Sequence, residues 1–170
     1  ADRQPEFTQI DLEMSFVDVD DVLDMIEGYI VKLFKEAINV DIPTPLPRLK
    51  FKDAMDRYGS DKPDTRFGME LFDLSEIVKD CGFSVFEGAV SAGGTVRGIT
   101  AKNAVSVYTR KEIDKLTEFA KGIGAKGLAW IRYTDDGISS SFGKFISEEK
   151  MNAILEKAGA EKGDVVFIIG

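Results

Sequence analysis

Histidine is missing altogether from the 170 residues, which removes the commonest general base and the commonest metal-binding side chain. A complete Ser-His-Asp triad, a Cys-His pair and a His-based zinc site are therefore excluded within this chain. The single Cys81 has no partner for an internal disulfide, so cysteine usage asks for no oxidising compartment. No apolar run approaches the roughly 18 to 20 residues that a bilayer crossing needs, and no basic stretch followed by an apolar core opens the chain. The expectation is a cytoplasmic chain without a membrane partner. Positive charge is in deficit, with 22 basic against 30 acidic residues and a net charge of −8. Bulk charge thus does not make it a free-standing nucleic-acid binder, because phosphate binding draws on clustered Lys and Arg. Internal repeats and low-complexity tracts are absent too.

What is present is ordinary for a globular chain, at 44% apolar and 31% charged residues, with length for one domain or two small ones. The charge is uneven. Residues 1–66 hold nine basic and fifteen acidic groups, net −6, whereas 67–170 hold thirteen and fifteen, net −2. Pro43, Pro45 and Pro47 alternate through an extended segment. These features predict two parts, 1–66 and 67–170.

Phe7 to Val17 alternates, with Ile10, Leu12, Met14 and Phe16 on one side and Gln9, Asp11, Glu13 and Ser15 on the other, the period of a half-buried strand. From Asp18 the period becomes helical through Val22, Leu23, Ile26, Ile30, Leu33, Phe34 and Ala37, up to about Asn39. Acids open this helix and Lys32 and Lys35 lie toward its end, as the macrodipole favours. Leu49 to Lys52 reads as a short strand, Asp53 to Tyr58 as a helical turn and Gly59 to Arg66 as a polar loop. Leu74 to Lys79 reads as a short helix. Phe83 to Val90 and Thr95 to Lys102 read as strands joined at Ala92-Gly93-Gly94. Thr109 with Glu112 forms a capping box that opens a helix with Ile113, Leu116, Phe119 and Ala120 on its apolar stripe. Leu128 to Tyr133 and Ile138 to Phe145 pair about Asp135-Asp136-Gly137, Ser147 opens a helix through Ala158, and Asp164 to Ile169 is a last strand. The predicted class is α+β, a β-β-α-β-β-α-β order with helices on one face of an antiparallel sheet.

Three motifs invite chemistry and have plainer readings. Gly122, Gly124 and Gly127 match the dinucleotide-binding glycine spacing, but a helix precedes them and a strand follows, the reverse of what aims amides at a pyrophosphate. A helix end and turn is the expectation. Ser141 and Lys144 match a nucleophile spacing without companion motifs. Asp18, Asp20 and Asp21 suggest calcium, yet the loop glycine and the closing glutamate are missing, and an N-cap explains the acids. Asp11 and Glu13 are harder to set aside. Two residues apart on a strand, they project from one face about 7 Å apart, beside Gln9 and Ser15, and such a pair could hold an ammonium group or a metal, the plainer reading being the solvated outer face of an antiparallel sheet.

Ala1 to Phe16, reading ADRQPEFTQIDLEMSF, resembles the second half of motif 2 in bacterial-type aspartyl-tRNA synthetases of class II. Arg57 to Arg66, RYGSDKPDTR, resembles a second stretch of that family. From about residue 67 the chain is similar to the GAD insertion domain, a two-layer β-β-α-β-β-α unit shared with a subunit of the tRNA-dependent amidotransferase. The resemblance implies a partial class II catalytic sheet with a helix over 1–66 and the insertion domain over 67–170. It implies a homodimeric parent ligase acting on aspartate, ATP and tRNA(Asp), assisted by magnesium. By position, Asp11 corresponds to the carboxylate that recognises the substrate ammonium and Gln4 to the glutamine that contacts ATP. Gln9, Glu13 and Ser15 are supporting residues, and Arg3 and Glu6 lie where the tRNA acceptor end approaches. The α-phosphate arginine of motif 2, motif 1, motif 3 and the anticodon-binding barrel have no counterpart in the chain, so the segment alone is expected to be inactive and to bind no cofactor. The alternative is a stand-alone module binding tRNA or a protein, with Lys102, Arg110, Lys111, Lys115 and Lys121 as a basic strip.

Overall fold

The computed structural model describes residues 3–170 and divides the chain into two compact units, one ending at Arg48 and the other beginning at Leu49. The first is built on helix α1 (Val19–Ile38). Asp18 caps it, accepting from the amides of Asp20 at 3.0 Å and Asp21 at 3.3 Å while Asp21 accepts from the Asp18 amide at 3.0 Å. That reciprocal box explains the acidic cluster without a cation. Asn39 ends the helix in the left-handed region at φ 54°. The proline-bearing segment then returns along α1: Lys35 meets Asp41 at 2.9 Å, the Leu46 amide donates to Glu27 at 2.9 Å, and Arg48 reaches Asp24 at 2.8 Å. No residue of α1 is buried.

Ahead of α1 the strand expected over Phe7 to Val17 does not form. A strand is held by its ladder, and every strand with a partner among the described residues lies in the second unit. The apolar positions of the segment are left in water, Leu12 at 57% and Met14 at 47% exposure.

The second unit opens with α2 (Phe51–Tyr58), which replaces the strand read at Leu49 to Lys52 and buries Ala54. A 3-10 turn (Thr65–Phe67) follows, then β1 (Phe72–Asp73), α3 (Ser75–Val78), α4 (Ser84–Ser91), β2 (Arg97–Ala101), α5 (Arg110–Gly122), β3 (Ala129–Thr134), β4 (Gly137–Ser140), a second 3-10 turn (Gly143–Phe145), α6 (Glu148–Lys157) and β5 (Val165–Ile169). The strands form one antiparallel sheet ordered β1-β2-β5-β3-β4, in agreement with the α+β expectation. The last strand in sequence is thus central in space.

Two expectations for this unit need correction. Phe83 to Val90 is helical, because Phe83, Phe86, Ala89 and Val90 recur at three- and four-residue spacing and Phe86 is driven into the core. Aromatic and branched residues favour strands only where a pleated surface awaits them. Helices also cover both faces of the sheet, not one. Val166 and Ile168 of β5 join Leu74, Val78, Phe86, Ile131 and Ile154 on one side, whereas Val165 and Phe167 join Ile113 of α5 and Trp130 on the other. The unit is therefore not two-layered. An unbroken apolar run such as Val165 to Ile169 is what a strand covered on both faces requires.

Candidate functional site

Arg3, Gln4, Glu6, Gln9, Asp11, Glu13 and Ser15 all lie in the exposed residues ahead of α1. No helix or strand carries them, and no hydrogen bond among the described residues ties their side chains to the rest of the chain. Asp11 and Glu13 are thus not set on a shared ladder here. Two unit charges about 4 Å apart interact by only about 1 kcal/mol in bulk water, so a carboxylate gripping a small ammonium needs a rigid, drier setting than this arm has by itself.

The Arg57 to Arg66 stretch is well built by comparison. Arg57 closes on Glu70 through two nitrogens, at 2.8 and 2.6 Å, and the Tyr58 hydroxyl donates to the same carboxylate at 3.1 Å. Hydrogen bonding to Arg57 chiefly holds the Glu70 carboxyl below its ordinary range, against its partial desolvation. Gly59 ends α2 at φ 68°, where a side chain would be strained. Asp64 grips Arg66 from both oxygens and its carboxyl falls to about 2, first through that side-chain bond and then through the Arg66 amide. On the sheet side, Arg97 of β2 donates to the Asp56 carbonyl at 3.0 Å and to its carboxylate at 3.1 Å. Sequence reading missed the Arg57 and Arg97 pairs. Their partners lie 13 and 41 residues away, beyond any local spacing rule.

The other motifs resolve into structure. α5 ends at Gly122, and Gly124 turns the chain at φ 107°, so the glycine triplet is a helix end. Ser141 accepts from the Trp130 amide at 3.1 Å and its own amide donates to the Trp130 carbonyl at 3.1 Å, extending the β3–β4 pairing. Its hydroxyl is a ladder partner, not an activated nucleophile. The basic strip is interleaved with acids: Arg110 meets Asp114 at 3.1 Å, Lys115 meets Glu112 at 2.8 Å, Lys121 meets Glu118 at 2.8 Å and Lys102 meets Asp164 at 2.9 Å. Only Lys111 of that strip has no ion pair among the described residues, so the strip offers little free charge to a phosphate backbone.

A cleft of about 640 Å³ lies between α4 and the start of β3, lined by Phe83, Phe86, Ala89, Leu128 and Ile168, with Lys126 its one ionisable side chain. One amine cannot supply an acid and a base, so this cleft is no candidate for proton-transfer chemistry. No group of three or more Asp, Glu or Cys side chains converges among the described residues. The described residues by themselves therefore offer no three-ligand cage for a divalent ion. No helix among the described residues is long and apolar enough to cross a membrane.

Comparison with known proteins gives a consistent result. The GAD domain family matches residues 86–170. An aspartate–tRNA ligase of Clostridium perfringens is 55% identical over 169 residues, covering 99% of this chain and 28% of the ligase. An aspartate–tRNA(Asp/Asn) ligase of Lachnoclostridium phytofermentans is 58% identical over 168 residues, 98% of this chain and 28% of the relative. An aspartate–tRNA ligase of Agathobacter rectalis is 56% identical over 168 residues, with the same coverage. The chain spans a little over a quarter of the length of these relatives.

Proposed function

Because the chain belongs to the GAD domain family, we propose that it is the part of an aspartate–tRNA ligase running from the end of motif 2 through the insertion domain. The observation that carries this is identity of 55 to 58% sustained across 98 to 99% of the chain, arm and α1 included. In this reading residues 1–66 belong to the catalytic core and 67–170 to the insertion domain. The arm 7–17 becomes a strand of a class II antiparallel sheet once neighbouring strands supply its ladder.

The reaction has two steps. A carboxylate oxygen of aspartate attacks the α-phosphate of ATP, forming aspartyl-adenylate and releasing pyrophosphate. A terminal ribose hydroxyl of tRNA(Asp) then takes the acyl group, and AMP leaves. Asp11 meets the α-ammonium of aspartate as a fixed anion, a charge-assisted contact that selects an amino acid and orients its carboxylate. Gln4 contacts ATP. Gln9, Glu13 and Ser15 hold the strand surface around Asp11, and Arg3 and Glu6 face the acceptor end of the tRNA. The same likeness supports a homodimeric, cytoplasmic ligase assisted by magnesium.

Between residues 3 and 17 the only cation is Arg3, too little to stabilise the charge that develops on a transferring phosphoryl group. The 170-residue chain alone is thus expected to show no aspartate-dependent exchange of pyrophosphate into ATP, whereas the ligase that contains it shows that exchange with aspartate and not with other amino acids. A ligase with no aspartate dependence would overturn the proposal, and exchange by the isolated chain would contradict the account of what it lacks.

A further inference from the structure

Residues 57–66 resemble ligase core sequence, yet their anchors lie on the sheet unit. We infer that Arg97 is a positioning residue that fastens α2, and with it the 57–66 stretch, to the insertion domain, so that this piece of the core moves as part of that domain. The link to ligase chemistry rests on the function proposed above; the fastening itself does not.

Arg97 stands on β2 opposite Asp73 of β1, with its side chain only 30% exposed. One terminal nitrogen donates to the Asp56 carbonyl at 3.0 Å and the other to the Asp56 carboxylate at 3.1 Å, while Asp73 lies 3.9 Å away. The carbonyl belongs to the last turn of α2, the negative end of that helix, where a cation is favoured. The forked guanidinium can serve a carbonyl and a carboxylate at once, whereas a lysine ammonium acts as a point charge. On the neighbouring residue, Arg57 closes on Glu70, and the Leu71 amide donates to the Arg57 carbonyl at 2.7 Å. The loop from Gly59 to Glu70 is therefore pinned at its base, immediately before β1. Consecutive residues of α2 are thus tied down, Asp56 by Arg97 reaching out from the sheet and Arg57 by reaching forward to Glu70.

Hydrogen exchange on the 170-residue chain tests the fastening, with the amides of Ala54 and Gly59 reporting on α2 and those of β3 and β5 as the internal standard. Arg97→Ala is expected to speed α2 exchange about tenfold or more while the standard holds, because two charge-assisted bonds are lost. Arg97→Lys falls between. Should Arg97→Ala also loosen β3 and β5, Asp56→Ala, which removes the carboxylate partner and leaves the carbonyl bond in place, must still speed α2 exchange, by less than Arg97→Ala. Unchanged α2 rates in both variants would overturn the inference. In the ligase, Arg97→Ala is expected to lower kcat for aspartate-dependent pyrophosphate exchange more than it raises KM for aspartate, with partial rescue by Arg97→Lys. An active ligase indifferent to Arg97→Ala would overturn the coupling to chemistry. A wild-type ligase without aspartate-dependent exchange would instead sink the proposed function, leaving the exchange rates of α2 to decide the fastening.

Discussion

Asp164 is 2% exposed and receives the Lys102 ammonium at 2.9 Å together with the amides of Asn103 and Glu161, each at 2.9 Å. Burial pushes its carboxyl up, and the bonds from Lys102, Glu161 and Asn103 together outweigh it, so the group sits below its ordinary 3.8. A folded value below the unfolded one means that the stabilisation is complete above the unfolded value and is lost as pH falls through the folded value. Asp164→Asn should lower Tm at neutral pH and show a smaller further drop on acidification to about pH 2 than the parent chain. Asp164→Ala should cost about 2 to 4 kcal/mol by denaturant unfolding, since it leaves the buried-side amides of Asn103 and Glu161 unanswered, whereas Lys102 keeps the Gly159 carbonyl at 2.6 Å. Equal acid profiles for parent and Asn variant would contradict this reading. At this scale the local caps were legible: Asp18, Thr109 and Ser147 each accept from an amide two or three residues on, though Glu112 spends its carboxylate on Lys115 and leaves the predicted box half made. Asp164 and Arg97 were not, because their partners are brought by chain return and no spacing announces them.

Among the elements, β2 is so closely flanked by β1 and β5 that a Cβ on Gly98 would stand 2.8 Å from the Phe72 ring and 2.9 Å from the Phe167 carbonyl oxygen. One of those contacts is backbone and cannot rotate aside. Gly98→Ala is expected to destabilise the sheet unit by about 1 to 3 kcal/mol, measured as a lower denaturation midpoint with an unchanged denaturant slope. A neutral substitution would mean that the β1–β2 edge is loose. Long periodic helices, the β3–β4 turn and the final strand could be read directly, since each has a single strong period or a turn residue. Phe83 to Val90 misled because eight residues with aromatic and branched side chains fit either period, and only Phe86, packed 5.1 Å from the Phe142 ring centroid, decides it. The covered second face was visible in the unbroken apolar run of β5, which the reading of helices on one face left unused.

Across the whole molecule, the two units differ in what holds them. The second has a continuous core on both sides of its sheet, whereas the first has a capped helix, a strap tied by surface ion pairs and no buried residue on α1. Exposed ion pairs contribute little, so brief protease treatment of the chain should remove residues up to about Arg48 and spare Leu49 to Gly170, as read by mass spectrometry. Equal survival of both units would contradict that division. The arm with Asp11 and Glu13 is where sequence and structure diverge most: alternation and resemblance both mark a strand, and none forms, since no described strand pairs with the arm. The most direct test is therefore made in the parent ligase proposed for this segment. Asp11→Asn should raise KM for aspartate roughly thirtyfold or more in pyrophosphate exchange, the scale of losing one partner of a charge pair, with KM for ATP nearly unmoved. An unaltered KM for aspartate would contradict the role assigned to this arm.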